Sequence, residues 1–524
     1  MNTSNERPTD HGIIILDYGS QYTLLIARRL RELGAYSEII APSSPPPTSF
    51  QIHGIILSGG PDSVTSTDKT GIPEWVIRSQ KPILGICYGM QLLVEHFGGQ
   101  VRSNHHREFG HSTITLQTQS TTSAIGTLFS HLATEQKVWM SHGDDIATLT
   151  DQFDAIAHSD QGAIAIVAHQ TSPYIGLQFH PEVHHTEKGS EILSLFLNDV
   201  CRTQLNWEPG CMVQGSIEAI RKAVGKGSVL MAVSGGVDST VAAVLLNRAL
   251  DPSQVTTVFI DHGLLRYQEA EQVRAYFQQL GVKNFVQLDC HESFLKALAN
   301  VSDPEEKRRI IGHQFIEEFE NFAKGHDQFT HLGQGTLYPD VIESAGHGSG
   351  SKVIKSHHNV GGLPEKLALK LLEPFRFLFK DEVRSIGNEL GIPEKIIHRH
   401  PFPGPGLAVR ILGPIDSEKI TILQQADAIF INALKESGLY DEVWQAFAVL
   451  LPVKTVGVMG DNRTYQWTCA LRAVCAVDGM TATVSPLPLD FLTAVADEIV
   501  RKVDGINRVV YDMTSKPPGT IEWE

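Results

Sequence analysis

Short aliphatic and β-branched runs alternate with helical periodicity over the first two hundred positions. Gly12–Leu16 reads as a buried strand, Gln21–Leu33 as an amphipathic helix and Gly54–Leu57 as a second strand. Strands apolar on both faces and separated by helices indicate a mostly parallel sheet covered on both sides. Pro- and Ser-rich Ala41–Thr48 is a surface connection, and Pro82–Gly85 is another short buried strand. The rhythm restarts after Trp207-Glu-Pro-Gly210, with strand Val229–Val233, a helix through Leu250, and strands at Val255–Ile260 and Phe285–Leu288. Gly346–Gly350 reads as a loop. Beyond His400-Pro-Phe-Pro-Gly-Pro-Gly406 the pattern changes to strands at Glu442–Leu451 and Thr468–Val477 around one or two helices. The expected fold class is therefore α/β: two doubly wound, mostly parallel-sheet domains at 1–206 and 207–399, then an α+β domain at 400–524.

Composition narrows the classes of function. Hydrophobic residues make up 42% of the 524 positions, enough for each domain to bury a core. The net charge of −16 argues against broad binding to nucleic acid or an anionic membrane, while leaving room for local phosphate pockets. No cationic leader precedes an apolar core, and no apolar run approaches the ~18 residues of a membrane span, so a cytoplasmic location is expected. Cys87, Cys201, Cys211, Cys290, Cys469 and Cys475 form no CxxC pair, which suggests neither a disulfide scaffold nor a zinc site. The histidine doublets likewise lack partners at metal-ligand spacing.

Gly85-Ile-Cys-Tyr-Gly89 follows an apolar strand and opens a helix, the context of a nucleophile elbow with Cys87 at its tip. A helix N-terminus and a nearby imidazole stabilise a thiolate. Phe179-His-Pro-Glu182, after the strand-like Tyr174–Phe179, supplies His180 as base and Glu182 to orient it. Gly59 and Gly60, at another strand end, offer backbone N–H donors for an oxyanion. A lone cysteine is usually core, and a lone HPE is usually loop. Together and in this order the pieces resemble the class I glutamine amidotransferases, in which Cys-His-Glu hydrolyses glutamine through a thioester. That resemblance also implies a glutamine pocket lined by Tyr88, Gln91, Ser141, His142, Gly143 and Asp144.

A second motif, Ser234-Gly235-Gly236-Val237-Asp238-Ser239-Thr240, lies between strand and helix, where backbone N–H groups and hydroxyls cradle phosphate. It lacks the lysine of the GxxxxGK[ST] loop. It resembles instead the pyrophosphatase-type ATP loop, which implies ATP as co-substrate and AMP with pyrophosphate as products. Asp238 is the candidate Mg²⁺ ligand, because that ion takes hard carboxylate oxygens.

The acceptor follows only from resemblance. The amidotransferase segment, SGGVDST, Ile354-Lys-Ser-His-His-Asn359, the His400–Gly406 run and the C-terminal Ser515-Lys-Pro-Pro-Gly-Thr-Ile-Glu-Trp-Glu524 together resemble the GMP synthetase family over nearly the whole chain. This implies that xanthosine monophosphate (XMP) is adenylated and ammonia displaces AMP. It places Asp340, Glu343, Lys355 and Lys380 beside ATP and its metal, puts Arg308, Lys516 and Glu522 on XMP, and implies a homodimer through the C-terminal domain. A tRNA-thiolating enzyme could share SGGVDST, but would want paired cysteines near that loop and a basic surface. A non-enzymatic binding protein would be expected to have lost Cys87, His180 or Asp238.

Overall fold

Ile13, Ile14, Ile15 and Leu16 have no exposed surface. They form most of β1 (His11–Leu16), which β2 (Ser37–Ile40), β3 (Gln51–Leu57) and β4 (Ile83–Ile86) follow. The computed structural model describes residues 7–66, 69–117, 129, 132–326, 328–345, 369–459, 462–476 and 481–524; for 104–106, 343–345 and 459 it describes backbone only. Two compact units divide the described chain, Arg7–Gly215 and Ser216–Glu524.

In the first unit the chain continues through β5 (Gln100–Leu116), β6 (Glu135–Thr148), β7 (Phe153–Ser159), β8 (Ile164–His169) and β9 (Tyr174–Leu177). All nine strands make one sheet in the order β2-β1-β3-β4-β9-β8-β7-β5-β6. The first five run parallel, as the apolar strand pattern predicts. The remaining four add an antiparallel extension. In that extension β6 alternates buried and exposed positions, the period of a strand covered on one face.

The second unit contains β10 (Val229–Val233), β11 (Val255–Asp261), β12 (Phe285–Asp289), β13 (His331–Gly333) and β14 (Lys370–Leu372), all parallel in the order β12-β11-β10-β13-β14. Strand order reverses at β10, so the carboxyl end of this strand faces the crevice where doubly wound sheets bind ligands. After it come β15 (Gln445–Met459), β16 (Asn462–Cys475), β17 (Thr483–Val484) and β18 (Ile506–Tyr511), with β16 antiparallel to β15 and β17 and parallel to β18. The hairpin strands β15 and β16 extend beyond the expected 442–451 and 468–477. Their register shifts between Leu451 and Lys454, around Pro452, and the outer halves expose Val453, Val456, Val458 and Tyr465, so the helical or core patterns of a buried strand are missing there. Position 400 marks a change of architecture inside one hydrophobic core: Leu230, Val258 and Leu332 pack in the same cluster as Leu407, Leu423, Phe430, Leu450 and Leu471.

Two histidines in this unit are held neutral. His400 donates from Nε2 to the Tyr440 carbonyl at 2.9 Å and accepts at Nδ1 from the Ala446 N–H at 3.3 Å, while its ring stacks on Tyr440 at 3.8 Å. His262 accepts at Nδ1 from the Leu264 N–H at 3.1 Å and packs against Phe294 and Phe315. Burial lowers both from 6.5 to about 4. The unfolded chain takes up these protons first as the pH falls, so the stability they contribute is complete above about pH 6.5 and is lost toward pH 4. Each is worth roughly 3 kcal/mol. Urea midpoints should fall steeply over this interval, and His400→Gln should flatten the fall; an unaltered slope in the variant would remove His400 from the account.

Candidate active site

Strand β4 ends at Ile86 and the helix Tyr88–His96 begins after one intervening residue. Cys87 makes the whole turn, with φ 52° and ψ −107°, a strained backbone that lifts its thiol off the sheet edge. Two glycines permit this. A Cβ at Gly85 would stand 2.6 Å from the Gly89 carbonyl group, and one at Gly89 would stand 2.2 Å from the Leu57 carbonyl oxygen. The Cys87 N–H donates to Leu177 of β9 at 2.7 Å, fixing the turn against the neighbouring strand end.

His180 leaves β9 and is locked from several sides. Its N–H donates to the Trp139 carbonyl at 3.1 Å, its carbonyl accepts from Thr186 Oγ1 at 2.6 Å, and the Tyr22 ring meets the imidazole edge-on at 4.9 Å. His180 Nδ1 donates to Glu182 Oε1 at 2.7 Å, and Glu182 is wholly buried. Arg29 Nε donates to the Glu182 carbonyl at 3.0 Å. Burial by itself would lower His180, but the Glu182 carboxylate and the Cys87 sulfur, within hydrogen-bonding range, outweigh it and hold the ring well above the ordinary imidazole value. A cationic ring beside the sulfur has a proton ready for a leaving amine.

The sulfur meets further groups. Cys87 Sγ donates to the Ser141 carbonyl at 3.6 Å, and Gln178 Nε2 reaches Sγ at 3.7 Å. Gln91 Nε2 donates both to Gln178 Oε1 at 3.2 Å and to the Asp144 carbonyl at 2.9 Å. Ser63 hydroxyl binds the Asp144 carboxylate, and His142 Nδ1 donates to the Asp144 carbonyl at 3.0 Å. Thus Gln91, Ser141, His142 and Asp144 are brought together, with Gly143 between the last two on β6. Register pairs Leu57 with Gly85, setting Gly59 and Gly60 beside the elbow. A Cβ at Gly60 would stand 2.8 Å from the Tyr18 carbonyl oxygen and 3.2 Å from the Tyr88 ring, so the loop is closely packed there. Gln178 is absent from the sequence-derived candidates. Its position two residues before His180 on the same strand end was the available signal.

In the second unit β10 delivers Ser234, after which Gly235 has φ 75° and Gly236 precedes the helix Val237–Ala249. Among the described residues no side chain caps this helix, leaving its N-terminal N–H groups for an anion. The Ser234 N–H donates to Ser239 Oγ at 3.3 Å, while Ser239 Oγ and Thr240 Oγ1 donate to the Gly236 carbonyl at 3.1 and 2.8 Å. The Asp238 carboxylate faces Lys380 Nζ at 3.7 Å. Burial raises the Asp238 pKa, helped by Asp340 and opposed by Lys380 and Arg384. Asp340 accepts from the Leu337 N–H at 3.0 Å at the start of the helix Tyr338–Ala345. Glu343 lies on that helix, but its side chain is outside the described residues, as is all of Lys355.

Of the candidate XMP residues, Lys516 and Glu522 lie on a C-terminal segment pinned by buried cations, and Arg308 lies on the helix Pro304–Lys324. Glu522 accepts from Arg410 Nε and Nη2 at 3.0 and 2.8 Å and from Gln445 Nε2 at 2.8 Å. Arg308 pairs with Glu305 at 2.5 Å and with the Glu524 main-chain oxygen. Lys516 bridges to Ala482 through backbone hydrogen bonds of 2.8 and 3.0 Å.

A thiol at a strand-to-helix elbow, backed by imidazole and carboxylate, is the arrangement of a class I glutamine amidotransferase; residues 14–200 match the family described as "Glutamine amidotransferase class-I". Residues 212–310 match "NAD synthase" and 432–523 match "GMP synthase C terminal domain". The chain is 52% identical to "GMP synthase [glutamine-hydrolyzing]" of Aquifex aeolicus, covering 98% of this chain and 99% of that protein. It is 51% identical to the protein of the same description from Thermotoga maritima, at 98% and 100% coverage. The chain belongs to the glutamine-hydrolysing GMP synthase family.

Gln178→Leu removes the amide donor to sulfur while preserving approximate volume. A side-chain hydrogen bond is worth about 0.5–1.5 kcal/mol, so glutamine hydrolysis should slow about two- to ten-fold in kcat/KM. Wild-type rates in a folded variant would show that this contact does not assist the nucleophile.

Proposed function

We propose that this chain makes GMP from XMP, ATP and glutamine with the residues described above. The observation that carries the reading is the strained Cys87 turn beside the charged His180–Glu182 pair. The sulfur attacks the glutamine γ-carbonyl, and Gly59 and Gly60 stabilise the oxyanion. His180 delivers its proton to departing ammonia, leaving a γ-glutamyl thioester that water hydrolyses to glutamate. At the second site the Ser234–Thr240 loop holds the β- and γ-phosphates. The C2 oxygen of XMP attacks the α-phosphorus, pyrophosphate leaves, and ammonia then displaces AMP.

Mg²⁺ fits this loop. Among the described residues Asp238 Oδ1 is buried without a hydrogen-bond partner, and Asp340 lies close enough to affect the Asp238 carboxylate. Mg²⁺ is commonly held by one or two carboxylates together with substrate phosphates. Asp238 and Asp340 would hold it, and the ion would neutralise phosphate charge. Lys380 supplies a further cation beside Asp238. Lys355 and Glu343 belong to the same proposed ATP site.

We assign XMP to Arg308, Lys516 and Glu522. The parts 1–206, 207–399 and 400–524 serve as amidotransferase, ATP pyrophosphatase and nucleotide-acceptor and dimerisation regions. The apolar outer hairpin with Val453, Val456, Val458 and Tyr465 exposed supports a homodimer. Among the described residues no helix is long and apolar enough to cross a membrane, and a cytoplasmic location accords with the acidic composition.

Cys87→Ala should abolish GMP formation from glutamine and leave formation from high ammonium largely intact. AMP and pyrophosphate should appear with XMP alone among a panel of acceptors. ADP and phosphate as products, or equal loss with both nitrogen donors in folded Cys87→Ala, would sink the assignment.

Glu522 also has a structural duty that separates stability from nucleotide use. Glu522→Ala leaves Arg410, itself fully buried, without its bidentate partner and should cost about 3–5 kcal/mol in stability. Lys516→Ala spares that pair and should weaken XMP binding by about ten-fold or more if its ammonium meets the nucleotide. Unchanged XMP affinity in Lys516→Ala would remove that contact, and unchanged stability in Glu522→Ala would remove the anchoring role.

A further inference from the structure

Arg399 stands just before the His400–Gly406 run and has no part in the mechanism above. Its Nη1 donates to the Gly235 carbonyl at 2.6 Å, and its Nη2 pairs with the Glu269 carboxylate. We infer that Arg399 is a positioning residue for the phosphate loop: by holding the Gly235 carbonyl it aims the Gly236 N–H into the cradle for the β- and γ-phosphates of ATP. This rests on reading Ser234–Thr240 as that cradle.

The peptide unit is planar and trans, so the oxygen of Gly235 and the N–H of Gly236 point in opposite directions. Fixing one aims the other. Among the described residues the peptide has few other restraints, because Gly235 sits at φ 75°, where glycine is at ease, and the Gly236 N–H has a long contact of 3.4 Å to Ser234 Oγ. The loop also lies against the helix that carries Glu269, since a Cβ at Gly235 would stand 2.8 Å from Val273 Cγ2.

Arg399 is itself held in place. Glu269 is 5% exposed and also accepts from the Arg266 N–H at 2.9 Å, at the entrance to the helix Glu269–Gln279. Arg266 donates to the Ala446 carbonyl on β15 at 3.1 Å and lies over the Phe402 ring at 5.3 Å. A guanidinium fork with two fixed acceptors restrains direction as well as charge, which an ammonium at the same place does not do.

The test measures binding of inorganic pyrophosphate and of AMP to the full chain by calorimetry. Arg399→Lys and Arg399→Gln should both weaken pyrophosphate at least ten-fold while changing AMP less than two-fold, since AMP lacks the phosphates held by the loop. Glu269→Gln should move pyrophosphate in the same direction by less, and the double variant Arg399→Gln/Glu269→Gln should be no worse than Arg399→Gln. Unchanged pyrophosphate binding, wild-type behaviour of Arg399→Lys, or equal losses of pyrophosphate and AMP would overturn the inference. If the Arg399 variants fail to fold, a pyrophosphate-selective loss in Glu269→Gln supports it and its absence overturns it. Ser239→Ala separates the two readings: if it too leaves pyrophosphate binding intact, the phosphate-loop assignment fails, whereas a loss there with none at Arg399 defeats only the positioning role.

Discussion

Both candidate sites depend on turning a parallel strand into a helix within one to three residues. At Cys87 the helix comes so close to β3 and β4 that neither Gly85 nor Gly89 has room for a Cβ. At Gly235 the chain takes a left-handed conformation against Val273 before the helix begins. This close approach brings helix N–H groups and the end of the sheet to the same point. In the first unit the result presents a sulfur; in the second it gathers helix N–H groups with the hydroxyls of Ser234, Ser239 and Thr240. A larger residue at these glycines would separate strand from helix and disperse the groups the chemistry requires.

The second unit also uses buried cations to fold the end of the chain back into its core. Lys307, Arg410 and Arg472 are at most 1% exposed. Arg472 donates to the carbonyls of Thr514, Thr520 and Ile521 and pairs with Asp512, Lys307 meets Glu524, and Arg410 meets Glu522. An unpaired charge at such depth is strongly unfavourable, so these cations require the 512–524 segment as much as the segment requires them. Read along the sequence alone, Lys516 to Glu524 is a polar tail with little apolar periodicity. Its order comes from partners up to 217 positions away.

That distance explains what was legible. The parallel strands, the Cys87 elbow and the Ser234–Thr240 turn announce themselves locally, because an apolar run ending in small residues constrains a few neighbouring backbones. Gln178 does not: its meaning comes from Cys87 and Gln91, 91 and 87 positions earlier, which only the pairing of β4 with β9 brings near. The outer halves of β15 and β16 were hidden for another reason. A hairpin that exposes valines on a projecting face and contains Pro452 has neither the alternation nor the uninterrupted apolar run by which strands are recognised. Arg399 falls between these cases, since its place before a Pro-rich run is visible in sequence, but its contact with Gly235 is 164 positions distant.

The histidines show how far placement outweighs residue type. His180, His262 and His400 are all buried, yet the first is held charged and the other two neutral. His262 and His400 each turn a ring nitrogen to a backbone N–H, an arrangement that a protonated ring cannot keep. His180 turns Nδ1 to a buried carboxylate and its other edge toward a sulfur, so the proton strengthens both contacts. Desolvation acts against the charge in all three, and only at His180 do the neighbours supply enough opposite charge to overcome it. The two neutral rings serve the fold. The charged ring has a proton to give, which is what distinguishes a catalytic imidazole from a packed one in the same chain.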